Sequence, residues 1–204
     1  MFPLGTVLLP GGVLPLQVFE PRYRQMVHDL LGDDSGPPEF GVVMIERGRE
    51  VGGGDERGTI GTMARIADMR AFPDGRYALV AIGHERFRVN AWLPDDPYPI
   101  ADVDIWPDEP SASDEATRRR RLEHLHARVR ALNDQVRALG EMAPPPDAEI
   151  SDEPSLAVHH LGSLAPLGAA DRYRLLAAPS LDDRLDVLAE ALDDAEAMVR
   201  FRQT

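Results

Sequence analysis

Four consecutive guanidinium groups, Arg118 to Arg121, form the only basic run in the chain and are the one feature suited to gripping a phosphate backbone. Asp114 and Glu115 stand four residues before Arg118 and Arg119, and Glu123 follows, so i,i+4 ion pairs on a solvated helix face are the expected use. His124 with His126 and His159 with His160 are the close histidine pairs, but neither has the i,i+4 spacing of zinc ligands and no cysteine is present to add a thiolate. Seven serines occur, none within Gly-x-Ser-x-Gly, so nucleophilic catalysis has no anchor. The acidic pairs Asp33-Asp34, Asp95-Asp96 and Asp182-Asp183 lie near glycine or proline and read as turn and cap residues; nothing points them to carboxylate catalysis. All 22 basic residues are arginine, and without lysine a Walker-type phosphate loop, a Schiff base and a serine-lysine dyad are impossible. The expectation is a chain that is not an enzyme and uses no cofactor or metal.

The bulk properties agree. At 204 residues the chain is one large domain or two small ones, able to bury about 70% of its unfolded surface. A net charge of −13 argues against nucleic acid or an anionic membrane as the main partner. The absence of cysteine suits a cytoplasmic location.

The elements that position these side chains begin with Met1 to Val18, which carries no charge. A signal peptide or membrane anchor is refused there by the missing basic residue and cleavage site, and by Pro3, Pro10 and Pro15 with Gly5, Gly11 and Gly12. Strand, turn, strand and helix remain: Thr6 to Leu9, the turn Pro10-Gly11-Gly12, Val13 to Phe19, and a helix opening at Pro21 with Tyr23, Met26, Val27, Leu30 and Leu31 on one face. Arg22 and Arg24 oppose the dipole of that helix, so Glu20, Arg22 and Tyr23 are expected to form a paired, orienting cluster. A further strand is predicted at 39–46, and residues 47–58, with Gly52-Gly53-Gly54, read as a strand connection and not a phosphate cradle. Strands follow at about 59–72, 76–83, 85–93 and 100–106, with a hairpin at Pro73-Asp-Gly75. Near 86–90, Phe87 and Val89 should face one way and Arg86, Arg88 and Asn90 the other. Many short strands with one helix predict a small barrel.

Pro107 to Asp114 reads as an exposed linker, so the predicted boundaries are a barrel domain with one helix over 1–106 and a helical bundle over 114–204. Ser113 is the expected cap of a helix whose seam, Leu122, Leu125, Val129, Leu132, Val136 and Leu139, steps by three and four. Gly140 ends it, and Met142 to Ala148 is a proline-rich connector. Ser151 or Asp152 should cap the next helix, a short one covers 169–177, and Ser180 caps the last, whose Leu181, Leu185, Leu188, Leu192, Ala195 and Val199 match the first seam.

Phe2-Pro-Leu-Gly, Leu8-Leu-Pro10-Gly11, Leu14-Pro-Leu and Phe19-Glu20-Pro21-Arg22-Tyr23-Arg together resemble the opening of the Lon protease N-terminal, substrate-binding domain. Gly75 to Val89 is similar to the family's Gly-x-x-Arg-Phe-Arg strand pair, and Ser180 to Leu188 to its last-helix entry. The resemblance spans nearly the whole chain. It implies an α+β fold, with a small PUA-like β-barrel followed by a C-terminal helical bundle. It also implies a stand-alone, non-catalytic protein that binds unfolded or tagged protein segments as adaptor or holdase, with a protease or chaperone as further partner. A PUA-like RNA-binding module is the alternative, since that barrel binds RNA in other families. Because clients of this kind offer apolar side chains, the expected contacts are Phe2, Leu4, Trp92 and Trp106, with Met63 and Met69 as adaptable neighbours.

Overall fold

A computed structural model describes residues 1–33, 36–48 and 54–202. Asp34 and the first two residues of the Gly52-Gly53-Gly54 connection lie outside the described residues. Two compact units are present, Met1–Pro107 and Asp108–Thr204.

The first unit holds strands β1 (Phe2–Leu4), β2 (Val13–Val18), β3 (Glu39–Arg47), β4 (Glu56–Ala71), β5 (Tyr77–Leu93) and β6 (Ile100–Ile105), with helix α1 (Pro21–Gly32) after β2. The first strand is not Thr6 to Leu9. It is Phe2–Leu4, which runs parallel to β3. Residues 7–9 are buried, but their carbonyls are used differently: Leu8 O accepts from the Thr62 hydroxyl at 2.6 Å, and Leu9 O accepts from Gly12 N–H at 2.9 Å in the turn. A side chain and a turn thus satisfy backbone that alternation alone assigns to a ladder.

The two strands expected at 76–83 and 85–93 are one continuous strand. Gly83 does not break it. A Cβ there would stand 2.8 Å from Leu9 O and 3.0 Å from Thr62 Cγ2, so this glycine permits the loop before β2 to approach closely. On one side β5 pairs with β4 along most of its length; on the other it pairs first with β2 and then with β6. The sheet order is β1-β3-β4-β5-β2, with β6 also on β5. Among the described residues no ladder joins β1 to β2, so the expected barrel is an open, six-stranded sheet. Tyr23, Met26 and Val27 of α1 pack in one buried cluster with Phe2, Phe40, Val42, Leu79 and Ala81. Leu31, expected on that face, is exposed.

The second unit contains α2 (Glu115–Ala138), α3 (Pro154–Leu164), α4 (Ala169–Ala177) and α5 (Leu181–Arg202). The seam residues Leu125, Val129, Leu132 and Val136 of α2 are buried, as are Leu185, Leu188, Leu192, Ala195 and Val199 of α5. Arg121 pairs with Asp186, and Arg128, seven residues on, with Asp193 at 2.6 Å, so α2 and α5 run in the same direction. The caps differ from expectation by one or two residues. Asp114 caps α2 by accepting from Thr117 N–H at 2.8 Å, and Glu153 caps α3 by accepting from Ser155 and Leu156 N–H. The Glu153 carboxylate takes two orphan backbone donors, and that of Asp114 takes one together with the Thr117 hydroxyl. Ser180 does open α5, with Asp183 N–H donating to its hydroxyl at 3.2 Å and Ser180 N–H returning to the Asp183 carboxylate at 3.1 Å.

Residues 108–114 are not a free linker. Ser113 donates to Asp182 through both its N–H and its hydroxyl, Glu109 bridges to Ser180, and Asp108 pairs with Arg184. The segment is largely exposed, as its composition suggests, but Asp108, Glu109 and Ser113 each have a partner on α5 or at its N-cap.

Candidate functional site

The turn from β2 into α1 places Phe19 and Glu20 at the edge of a cleft of about 190 Å³. Phe2 and Leu4 of β1 line one side of it, residues 15–18 of β2 line another, and Tyr23 of α1 also lines it. Tyr23 is fixed by a stack on Phe2, with centroids 4.2 Å apart and planes 19° apart, and burial pushes its hydroxyl up to about 12. The Arg22 guanidinium carbon lies 4.5 Å from the centroid of the same Tyr23 ring, and Arg22 Nε donates to Glu20 at 3.2 Å. Arg22 thus contacts both Glu20 and Tyr23. Pro21 occupies the first turn of α1, and Pro10 and Gly11, the latter at φ 76°, make the turn that returns the chain to β2. Phe19 differs from the other aromatics of the cleft: it is 54% exposed.

Of the four expected contacts, Phe2 and Leu4 line this cleft and Trp92 and Trp106 do not. Trp106 is buried, with the guanidinium carbons of Arg86 and Arg88 at 4.3 and 3.5 Å from its ring centroid. Arg86, expected on the face opposite Phe87, is itself buried, because this ring gives its cation an apolar and electrostatic partner. Trp92 is half-buried beneath Arg57, whose guanidinium carbon lies 4.9 Å from the ring. Arg57 is held by Asp55 at 2.7 Å and bidentately by Asp95 at 2.9 and 2.8 Å. Beside it the Met1 amine donates to Pro99 O at 2.8 Å, and burial, then the Arg57 charge, push that amine down to about 6. Met69 is exposed and Met63 half-buried, and neither lines the cleft.

The arginine run is engaged within its own unit. Arg118 donates to Ser113 O, Arg119 contacts Glu115 at 3.5 Å, Arg120 donates to the Thr117 hydroxyl at 3.1 Å, and Arg121 pairs with Asp186. Arg118 and Arg119 also border a polar cleft of about 400 Å³ together with Asp108, Glu115, Glu153 and Ser155. Close to it is a buried cluster that sequence reasoning missed. Arg184, fully buried, donates to both Asp108 oxygens and, at 2.6 Å, to the Ser155 hydroxyl. The available signal was phase: position 184 lies three residues after Leu181 and four before Leu188, on the core stripe of α5. Among the described residues no group of three or more His, Asp or Glu is placed to hold a metal, and no helix is long and apolar enough to cross a membrane.

An open six-stranded sheet packed against one helix, followed by a helical unit, and with an aromatic cleft beside β1, β2 and α1, defines the class. The chain belongs to the ATP-dependent protease La (LON) substrate-binding domain family, whose model it matches over residues 1–194. It is 30% identical over 205 residues to Lon protease 2 of Myxococcus xanthus, covering 97% of this chain and 23% of that protein. With Lon protease 2 of Sorangium cellulosum it shares 31% over 199 residues, again covering 97% and 23%. The chain thus spans about a quarter of the length of these curated relatives. Among solved structures, a Lon N-terminal domain protein from Xanthomonas campestris matches with a TM-score of 0.60 and 27% identity, covering 93% of this chain and 95% of that one. The N-terminal domain of the Mycobacterium avium complex Lon protease matches with a TM-score of 0.63 over 94% and 97%; at 20% identity that is a likeness of fold.

Proposed function

We propose that this chain binds extended, apolar segments of other proteins without catalysis, as an adaptor or holdase in the cytoplasm, and that the cleft between β1, β2 and α1 is where they enter. The observation that carries the reading is the half-exposed Phe19 beside the buried Phe2, Leu4 and Tyr23, because a large aromatic left in water at the mouth of an apolar cleft is typical of an interaction site. The cleft volume, about 190 Å³, lies below the ~300–1,000 Å³ of small-molecule sites and suits one large side chain. The family's designation as a substrate-binding domain points the same way. In this reading Phe2 and Leu4 contact the client, while Trp92 and Trp106 hold the sheet. The RNA-binding alternative draws no support from Arg118 to Arg121, each of which contacts a group of its own unit.

Reduced, carboxymethylated α-lactalbumin is a permanently unfolded probe. Phe19→Ala should weaken its binding about tenfold, the ~1.4 kcal/mol expected for losing a large aromatic at an interface. Replacing Arg118 to Arg121 by glutamine should leave it unchanged. Loss in the arginine variant with no change in the Phe19 variant would place the site on the helical unit and advance the electrostatic reading.

A further inference from the structure

Resting on the reading that the cleft takes apolar segments, we infer that the client enters as an added β-strand along the open edge of β2, with one large apolar side chain in the cleft. Gly83 N–H donates to Gly12 O at 3.0 Å, and the β2–β5 register pairs Leu14 with Ala81, Leu16 with Leu79 and Val18 with Tyr77. In an antiparallel ladder backbone groups alternate sides, so these even-numbered residues face β5. Val13, Pro15 and Gln17 therefore turn their backbone groups to the other side, where no further strand pairs among the described residues. Pro15 fits this phase, because a residue without an N–H belongs where the ladder asks for none. The open edge offers the carbonyls of residues 13, 15 and 17 and the N–H groups of residues 13 and 17.

Those edge groups border the same cleft that Phe19, Phe2 and Tyr23 line, so main-chain pairing and a side-chain pocket are side by side, the two components of strand-addition recognition. The other bordering strand, β1, is a poorer template: it has three residues, and Pro3 is the middle one. The missing donor at Pro15 interrupts the β2 edge as well, which limits a client to a few bonds and keeps pairing reversible. The occupant is an extended segment carrying a large apolar residue between residues with free backbone N–H groups, as unfolded chains do. The net charge of −13 favours segments with basic residues on either side.

The test uses the full chain and a fluorescein-labelled, end-capped peptide, Ser-Thr-Arg-Thr-Phe-Thr-Arg-Thr-Ser, read by anisotropy. In a strand laid on one edge only every second N–H faces the protein. N-methylation of alternate residues in one phase should thus weaken binding tenfold or more, and in the other phase less than threefold. Phe→Ala in the peptide should also cost about tenfold, and Gln17→Pro in the protein, checked for an unchanged melting temperature, about fivefold. Should that variant not fold, the two peptide phases decide alone. Equal affinity for both phases, or binding of reduced α-lactalbumin but not of the peptide, overturns strand addition and leaves the client-binding reading standing. Failure to bind either probe overturns both.

Discussion

Arg184 shows how one residue can carry an unfavourable charge into a core. Its guanidinium is fully buried, and the Asp108 carboxylate and the Ser155 hydroxyl satisfy it while its Nε has no hydrogen-bond partner. Asp108→Ala would leave that cation uncompensated, so the expected loss is about 3 kcal/mol in urea unfolding, whereas a joint Arg184→Met, Asp108→Ala variant should lose less than the single change. A double variant no more stable than Asp108→Ala would mean that packing and not charge sets the cost. His160 makes a second residue-scale case. It accepts a hydrogen bond at Nδ1 from Ser151 N–H at 3.1 Å, and burial holds its pKa below the ordinary 6.5. The unfolded chain then binds more protons near and below pH 6.5 than the folded one, so stability falls as pH drops from above 6.5 through the folded-state value. The buried Met1 amine, at about 6, adds a loss of the same sign between pH 8 and 6. Comparing urea midpoints at pH 7.5 and 5.5 for the native chain and His160→Gln isolates the histidine: the drop should be smaller in the variant.

At the scale of elements, glycines set how closely strands and side chains approach. A Cβ on Gly61 of β4 would meet Val42 O and Phe87 Cζ, and one on Gly41 of β3 would lie 2.9 Å from the same Phe87 atom. Phe87 is fully buried across these two bare positions. Gly61→Ala should therefore destabilise the first unit by about 1–3 kcal/mol through overpacking, seen as a lower melting temperature. Gly36, where a Cβ meets nothing within 4 Å, supplies the control, and an equal effect at both sites would refute the packing account. Helix ends belong to the same scale. Asp114→Ala removes the carboxylate that caps α2 and should cost about 1 kcal/mol.

For the whole molecule, the pinned segment 108–114 changes where the helical unit begins. A fragment of residues 108–202 keeps the Asp108–Arg184 pair and the Ser113–Asp182 bonds, and one of residues 114–202 loses both. The longer fragment should melt several degrees higher by circular dichroism; equal melting temperatures would return residues 108–113 to the role of a linker. Because the chain has no lysine, the purified protein should neither hydrolyse ATP nor cleave casein. A rate that copurifies with it through a second column would contradict this.

Local physics made much of this legible from sequence alone. Pro21 at the start of α1, the three-and-four spacing of Leu125 to Val136, the Pro73–Gly75 hairpin and the absence of lysine each depend on residues within one element or on composition, where propensity, periodicity and stereochemistry act directly. The opening motif likewise carried the family. What tertiary structure decided are the partners brought from far along the chain. Thr62 takes up the Leu8 carbonyl 54 residues away and makes a loop of an apparent strand, and Trp106 stacks on Arg86 and Arg88 and gives a buried cation its partner. Asp108 meets Arg184 across 76 residues and ties an apparent linker to a buried cation. Phe19 is apolar by type, and it stands in water just after β2, the strand at the end of the sheet order. Hydrogen-bond satisfaction and desolvation are settled by neighbours in space, and a sequence lists only neighbours along the chain.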